Sequence, residues 1–271
     1  MGGILGIDSF FHMVIFASAI AGVSTSLLGV FIVGMRVPFI GTCISHAAMA
    51  GVIGAALLNI HPLAGAITLS VLTSTSLSML DPAKSRLDAN VALAVVFSLM
   101  LGLTFLAMGL VQDSRTEILG LLWGSILFVK KDSVIIISIM AAVLILFTAL
   151  FNKELKMLLF SRSLAAATGV HQGLVYTLFL ALCGIILSVN LQLIGGLMIF
   201  ALMTNPAAAA YQICRGHRAV VIVSSAFGML SAVSGFLFSY YLNLPTGACI
   251  VIASVIIFAI CAAAGKFTQN Q

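Results

Sequence analysis

Long apolar runs follow one another along this chain with only short polar breaks, as in "FASAIAGVSTSLLGVFIVG" at 16–34 and "ALAVVFSLMLGLTFLAMGL" at 92–110. A helix needs about 20 apolar residues to cross the roughly 30 Å of bilayer hydrocarbon. Hydrocarbon leaves no water to satisfy backbone N–H and C=O groups, so a spanning segment must be a helix or part of a closed barrel. Barrel strands are about 10 residues long and alternate apolar with polar positions, whereas the runs here are continuous. The composition agrees: of 271 residues, 62% are hydrophobic and 7% charged, against about 25% charged in ordinary globular chains. Mean hydropathy is +1.26. The chain reads as an all-α, polytopic membrane helical bundle.

The breaks delimit nine candidate helices, at 11–34, 41–59, 62–80, 91–111, 132–151, 174–189, 192–213, 219–240 and 247–265. The short 174–189 and the run 192–213, interrupted by Gly195-Gly196 and Pro206, are the two that a broken or re-entrant helix would remove, so the count is eight or nine. No basic residue precedes Arg36, and a cleavable leader carries positive charge ahead of its apolar stretch; the first helix is expected to stay in the protein. With the N-terminus outside, nine basic residues fall on the cytoplasmic side (Arg36, Lys84, Arg86, Lys153, Lys156, Arg162, Arg215, Arg218 and Lys266) and three outside (Arg115, Lys130 and Lys131). That asymmetry obeys the positive-inside rule and sets the expected orientation. It also accounts for the net charge of +5 without nucleic acid, since the charges lie in short loops and form no patch. The five cysteines (Cys43, Cys183, Cys214, Cys249 and Cys261) are scattered, with no zinc-knuckle pairing and no disulfide framework.

Two polar segments interrupt the pattern. Segment 112–131 holds the 12-residue patch "EILGLLWGSILF", too short to span, and reads as an outward interfacial helix anchored by Trp123. Segment 152–173, "NKELKMLLFSRSLAAATGVHQG", is charged and helix-prone on the cytoplasmic side. Connections between packed helices usually take about 2 to 8 residues, so this one has room to dock a partner. No Gly-x-x-x-x-Gly-Lys-Ser/Thr loop, His-Glu-x-x-His pair or Gly-x-Ser-x-Gly elbow occurs. The chain has no ATP-binding motif of its own and no hydrolytic signature; it is expected to be a transport subunit rather than an enzyme.

The stretch "GTCISHAAMA" at 41–50 places the one histidine that lies deep in a span. An ionisable group there is costly, by about 2.5 to 3.5 kcal/mol or more when charged, and such groups face a bundle interior or a water-filled route. On a helix Thr42 and His46 are one turn apart, and Cys43, His46 and Met49 are spaced in steps of three, so oxygen, sulfur and nitrogen share a face. Imidazole and thiolate suit first-row transition metals. A packing alternative stays open at this point: His46 bonded to a carbonyl, Thr42 and Ser45 bonded back onto their own helix, Cys43 and Met49 as fillers. One histidine supplies too few ligands, and a pore on the axis of a homodimer would supply two. Every Asp and Glu lies at a span end or in a loop, which argues against a proton- or sodium-driven carrier or channel, the alternative class.

The segment "MRVPFIGTCISHAAMAG" (35–51) resembles the second-helix signature Gly-Asp-x-x-Ser-His-Ala of the ABC-3 family, the membrane permeases of zinc, manganese and iron ABC importers. "SRLDANVALAVVFS" (85–98), "EILGLLWGSIL" (117–127), "FSRSLAAATGV" (160–170), "IGGLMIFALMTNPAAAA" (194–210) and "SYYLNLPTGACIVI" (239–252) resemble that family in the same order. The resemblance implies one transmembrane permease domain over 1–271. It implies a homodimer paired with two cytoplasmic ATPase subunits and fed by an extracytoplasmic metal-binding protein. The cargo would be zinc, manganese or iron, with no permanently bound cofactor, in a multi-pass protein of a prokaryotic cell membrane. Phe160, Arg162, Leu164, Ala166 and Gly169 would belong to the coupling helix that seats in the ATPase, and the route ligands would fall at Thr42, Cys43, His46 and Met49. The sequence departs from the pattern where the family has its aspartate: Thr42 stands there. A hydroxyl is a poorer ligand for a hard cation than a carboxylate, which favours zinc over manganese, or a cargo other than a bare hard cation.

Overall fold

The computed structural model describes residues 2–79, 89–110, 131–160, 172–196 and 199–269. Its elements are all helical: α1 (Gly2–Gly34), α2 (Phe39–Leu57), α3 (Pro62–Met79), α4 (Ala89–Leu110), α5 (Lys131–Leu150), α6 (Asn152–Phe160), α7 (Gln172–Ile194), α8 (Ile199–Ile213), α9 (His217–Leu242) and α10 (Thr246–Gln269). Eight of them, all but α6 and α8, are long and apolar enough to cross a membrane.

Three of the tight connections are built alike. Each has a residue in the left-handed conformation just past the helix, at Arg36 (φ 60), Asn59 (φ 54) and Asn243 (φ 52), and a proline two or three positions later, at Pro38, Pro62 and Pro245. The left-handed residue turns the next N–H back onto the last turn, Val37 to Ile32 at 3.2 Å, Ile60 to Ala55 at 2.9 Å and Leu244 to Ser239 at 3.2 Å. This closure satisfies carbonyls that a helix end leaves open. Proline then stops further winding, with its φ already set for the helix that starts.

The connection from α7 to α8 is different: it gives the lower of the two expected span counts, eight among the described residues, and moves the boundary between the two runs. The run 174–189 is not a short span: α7 continues to Ile194 and takes in the first residues assigned to 192–213. The break falls at Gly195, whose φ of 90 excludes an ordinary side chain. Beyond the break, α8 has 15 residues, or about 22 Å at 1.5 Å per residue, and it continues through Pro206. Ile199, Leu202, Met203, Ala207, Ala209 and Ala210 are all buried, so α8 is covered by protein up to its last turn, where Tyr211 and Ile213 are exposed. Irregular backbone at membrane depth is tolerated where it is covered in this way. The interfacial helix expected at 112–131 lies outside the described residues.

Helices α1, α2 and α7 form the interior, with 72 to 83% of their apolar windows buried, while α4 and α5 are 22% buried and present Val95, Leu99, Phe105, Ile139 and Leu146 outward. α2 lies between α3 and α4; α7 bridges α3 to α1; α1 packs on α9, α8 and α5; α10 closes against α8 and α9. Lipid tails are as apolar as leucine, so helices in a bilayer associate through close packing and buried hydrogen bonds rather than through hydrophobic exclusion. Both are present. A Cβ on Gly22 or Gly228 would enter the other's carbonyl where α1 crosses α9, and Gly51 and Gly65 meet in the same way between α2 and α3. Asn190 of α7 donates to Ser24 Oγ and Thr25 Oγ1 of α1, both at 3.0 Å. Ser70 of α3 and Ser188 of α7 share a bond of 2.8 Å, and Asn205 of α8 donates to Ser254 of α10 at 2.9 Å. Asn190→Ala is expected to destabilise the bundle by about 1 kcal/mol, the usual size of a polar clamp between membrane helices. A lower midpoint of thermal unfolding in detergent would measure it.

α6 begins the cytoplasmic segment read from the sequence. Leu155 and Leu158 are buried, Lys153 is exposed, and the helix rests on α7, α1 and α5. The coupling positions Arg162, Leu164, Ala166 and Gly169 lie outside the described residues, and Phe160 is placed only as the last residue of α6.

Candidate functional site

The four sequence-derived positions sit on the first three turns of α2, and all are buried: Thr42 is 9% exposed, Cys43 0%, His46 6% and Met49 2%. α2 holds them rigidly because small residues, Ala47, Ala48, Ala50 and Gly51, surround them and let its neighbours approach closely.

His46 Nδ1 lies 3.0 Å from the carbonyl oxygen of Thr42, one turn back on the same helix. A carbonyl only accepts, so Nδ1 carries the proton, and in the neutral ring Nε2 keeps its lone pair. Among the described residues Nε2 has no hydrogen-bond partner. Orientation through Nδ1 with Nε2 left open is how metal-binding histidines are commonly held. The ring packs edge-on against Phe97 of α4, with centroids 4.8 Å apart and planes at 77°. Phe97 also meets Phe39 edge-on at 5.4 Å, so an aromatic pair lies between His46 and the start of α2.

The other three positions divide. Cys43 donates its Sγ proton to the Leu93 carbonyl at 3.1 Å, tying α2 to α4 as a neutral thiol. Met49 belongs to an apolar cluster with Val52, Ala66 and Leu191, and its thioether lies against Gly196, where a Cβ would meet Sδ at 2.8 Å. Ser45 bonds back to the Gly41 carbonyl at 2.5 Å, as a hydroxyl in an apolar helix is expected to. Thr42 does not: its Oγ1 is closed off from solvent with no partner, the sole such hydroxyl among the described residues. Among those residues no group of three or more His, Cys, Asp and Glu side chains is arranged to hold an ion. Among the described residues, this face of α2 offers one open nitrogen, His46 Nε2, and one unpartnered hydroxyl, Thr42 Oγ1.

The remaining described histidines are placed differently. His12 is exposed, exposed His61 accepts from the Leu63 N–H at 3.3 Å, and His217 faces Phe31 with centroids 5.7 Å apart. Sequence reasoning did not single out Phe97 or the Gly196 contact, because both arise between helices distant in the chain. Asn190 carried a signal, an amide inside an apolar run, that went unused.

Among the described residues, eight apolar spans, with an imidazole part-way along the buried interior helix α2, define a multi-pass membrane protein of the transport class. The chain belongs to the ABC 3 transport family, whose profile matches residues 7–265. It is 28% identical to the manganese transport system membrane protein MntC of Listeria monocytogenes over 93% of this chain and 89% of that one. To the manganese import system permease protein ScaB of Streptococcus gordonii it is 30% identical, covering 93% and 90%. To the high-affinity zinc uptake system membrane protein ZnuB of Haemophilus influenzae it is 23% identical, covering 91% and 96%. Among solved structures, PsaBC from Streptococcus pneumoniae in complex with Fab superposes with a TM-score of 0.82 at 26% identity, covering 93% of this chain and 90% of that one. The protein is a multi-pass permease of the cell membrane.

Proposed function

We propose that this chain is the permease subunit of an ABC importer for divalent transition metal ions, with zinc favoured over manganese or iron. Two copies form the membrane unit, two cytoplasmic ATPase subunits drive it, and an extracytoplasmic metal-binding protein delivers the ion. The observation that carries this reading is His46: an oriented, neutral imidazole with an open Nε2 in the middle of a buried span. The named relatives support a metal cargo, manganese for MntC and ScaB and zinc for ZnuB. Preference for zinc rests on the donor set, since manganese favours carboxylate oxygen and zinc accepts imidazole, and Thr42 stands where the family carries its acid.

In the mechanism, the ion passes the two His46 side chains of the dimer as a transient ligand pair, and alternating access exposes them first outward and then inward. ATP binding and hydrolysis act through the segment that continues from α6, with Phe160, Arg162, Leu164, Ala166 and Gly169 at the ATPase surface. The whole of 1–271 acts as one permease domain, with 152–173 as its coupling segment.

The test is uptake of radioactive zinc and manganese by cells expressing the chain with its neighbouring gene products, with co-purification of the subunits. Ala166→Pro is expected to abolish uptake while leaving the permease inserted at normal abundance, because proline in a helix interior costs about 3 kcal/mol. Normal uptake by that variant would remove the coupling assignment and restore an ATPase-independent carrier or channel.

A further inference from the structure

Resting on the metal-importer reading, we infer that Phe97 of α4 is the positioning residue for the His46 ligand, setting the plane of the imidazole, and that Cys43 acts through Phe97 by fixing the register of α4 rather than as a ligand itself.

A metal bond to Nε2 lies in the plane of the ring, so a ligand histidine needs its orientation held as well as its tautomer. The bond from Nδ1 to the Thr42 carbonyl at 3.0 Å settles the tautomer and holds one corner of the ring. It runs within α2 alone, and the last torsion of a histidine is broad and weakly restrained by itself. Phe97 supplies the hold from another helix: the ring centroids are 4.8 Å apart and the planes meet at 77°. Aromatic rings favour this edge-to-face arrangement, and rotation of the imidazole would lose it. An aliphatic side chain would fill a similar volume and offer no flat face to set an angle.

Phe97 is itself held from two sides. Phe39, near the start of α2, meets its ring at 5.4 Å and 69°. One turn back on α4, the Leu93 carbonyl accepts the Cys43 proton at 3.1 Å, the one side-chain hydrogen bond between α2 and α4 among the described residues. Phe39, Cys43 and His46 fall on one face of α2 by helical spacing, and Leu93 and Phe97 lie one turn apart on α4. Cys43 thus meets Leu93 and His46 meets Phe97 at successive steps in the same direction. A slip of α4 at the first pair would take the ring away from the second. Cys43 is 0% exposed with its proton engaged, which suits a tie between helices; a metal ligand would have to be the thiolate.

The test is equilibrium binding of zinc-65 to the purified permease with its ATPase in lipid nanodiscs, read as the half-saturating zinc concentration beside the yield of folded dimer. His46→Ala marks the binding that belongs to the site. Phe97→Leu, which has no ring, is expected to raise half-saturation about tenfold or more at normal yield, the usual loss when a group that orients a metal ligand is removed. Phe97→Tyr keeps the ring and should bind as the unaltered protein does. Cys43→Val is expected to weaken binding to the same extent, and Cys43→Ser, whose hydroxyl still donates to Leu93, to restore it. Because Cys43 acts through Phe97, the double variant of Cys43→Val with Phe97→Leu should bind no more weakly than Phe97→Leu alone. Unaltered half-saturation in Phe97→Leu, or a loss of folded yield alone, would overturn the inference and leave the metal reading in place where His46→Ala still abolishes binding. Weakening by Cys43→Ser as large as by Cys43→Val would make the sulfur a ligand and overturn the role given to Cys43. Zinc held equally by His46→Ala and the unaltered protein would remove the metal reading, and the inference with it.

Discussion

His46→Ala is expected to stop zinc uptake, a loss of at least a hundredfold, in cells that hold a normal amount of dimeric permease. The expectation comes from how little the imidazole does for the fold. Its one hydrogen bond runs to a carbonyl of its own helix, and that carbonyl already serves the α2 backbone. Its remaining contact, with Phe97, is an edge packing of about 0.5 to 1.5 kcal/mol beyond simple burial. Truncation therefore takes away the open nitrogen and leaves the helix intact. A purely structural histidine would give the opposite pattern, with destabilisation of about 1 to 3 kcal/mol, reduced abundance and uptake that falls only in proportion. Uptake per molecule of inserted permease separates the two, and normal uptake by the variant would end the ligand role.

Gly228→Val should have the largest effect on the fold. A Cβ at this position would run into the Gly22 carbonyl and the Ser26 side chain, and the reciprocal Cβ on Gly22 meets the Gly228 carbonyl. Backbone cannot swing aside as a side chain does, so α1 and α9 must separate along their crossing. That movement also breaks the bond from Ser224 to the Ser26 carbonyl, 3.2 Å long and one turn away. Overpacking usually costs about 1 to 3 kcal/mol, and here the upper end is expected because no flexible group absorbs the clash. The measurement is the fraction of protein eluting as a single folded species in detergent. Gly109→Val, where a Cβ meets nothing within 4 Å, serves as the control and should elute normally. If both variants elute normally, the α1–α9 contact is not close.

The spans were legible because hydrocarbon thickness imposes a length that any apolar run either meets or does not. His46 was legible for the same reason, since a titratable group in such a run is rare. The end of α7 was legible only in part: Gly195-Gly196 stood out as an interruption, but the boundary was drawn at 190–191, and only the positive φ of Gly195 shows that the chain turns there and that 190–194 belong to the preceding helix. Nor could one helix face tell a ligand from a structural tie. Cys43, His46 and Met49 share a face by spacing, yet the first is bound to a carbonyl of α4 and the last packs at the α7–α8 turn. Those assignments depend on which helices lie beside α2, and periodicity within α2 carries no information about its neighbours. The unpaired state of Thr42 was equally out of reach, because a threonine in a helix ordinarily bonds back to it.

The contact between Gly51 and Gly65 sets how rigidly the histidine is mounted. Two backbones in mutual contact just before and just after the Asn59 turn make α2 and α3 a single stiff prong, and α7 is keyed to it where the Gly184 backbone abuts Ser70 and accepts its hydroxyl at 3.1 Å. His46 is carried on this prong, buried within α2. Against α4 the prong is held by the Cys43 bond and by the faces of Phe39 and His46 on Phe97, contacts that a rotamer change releases. The α2–α3 seam is therefore closed by backbone against backbone, and the α2–α4 seam by side chains alone.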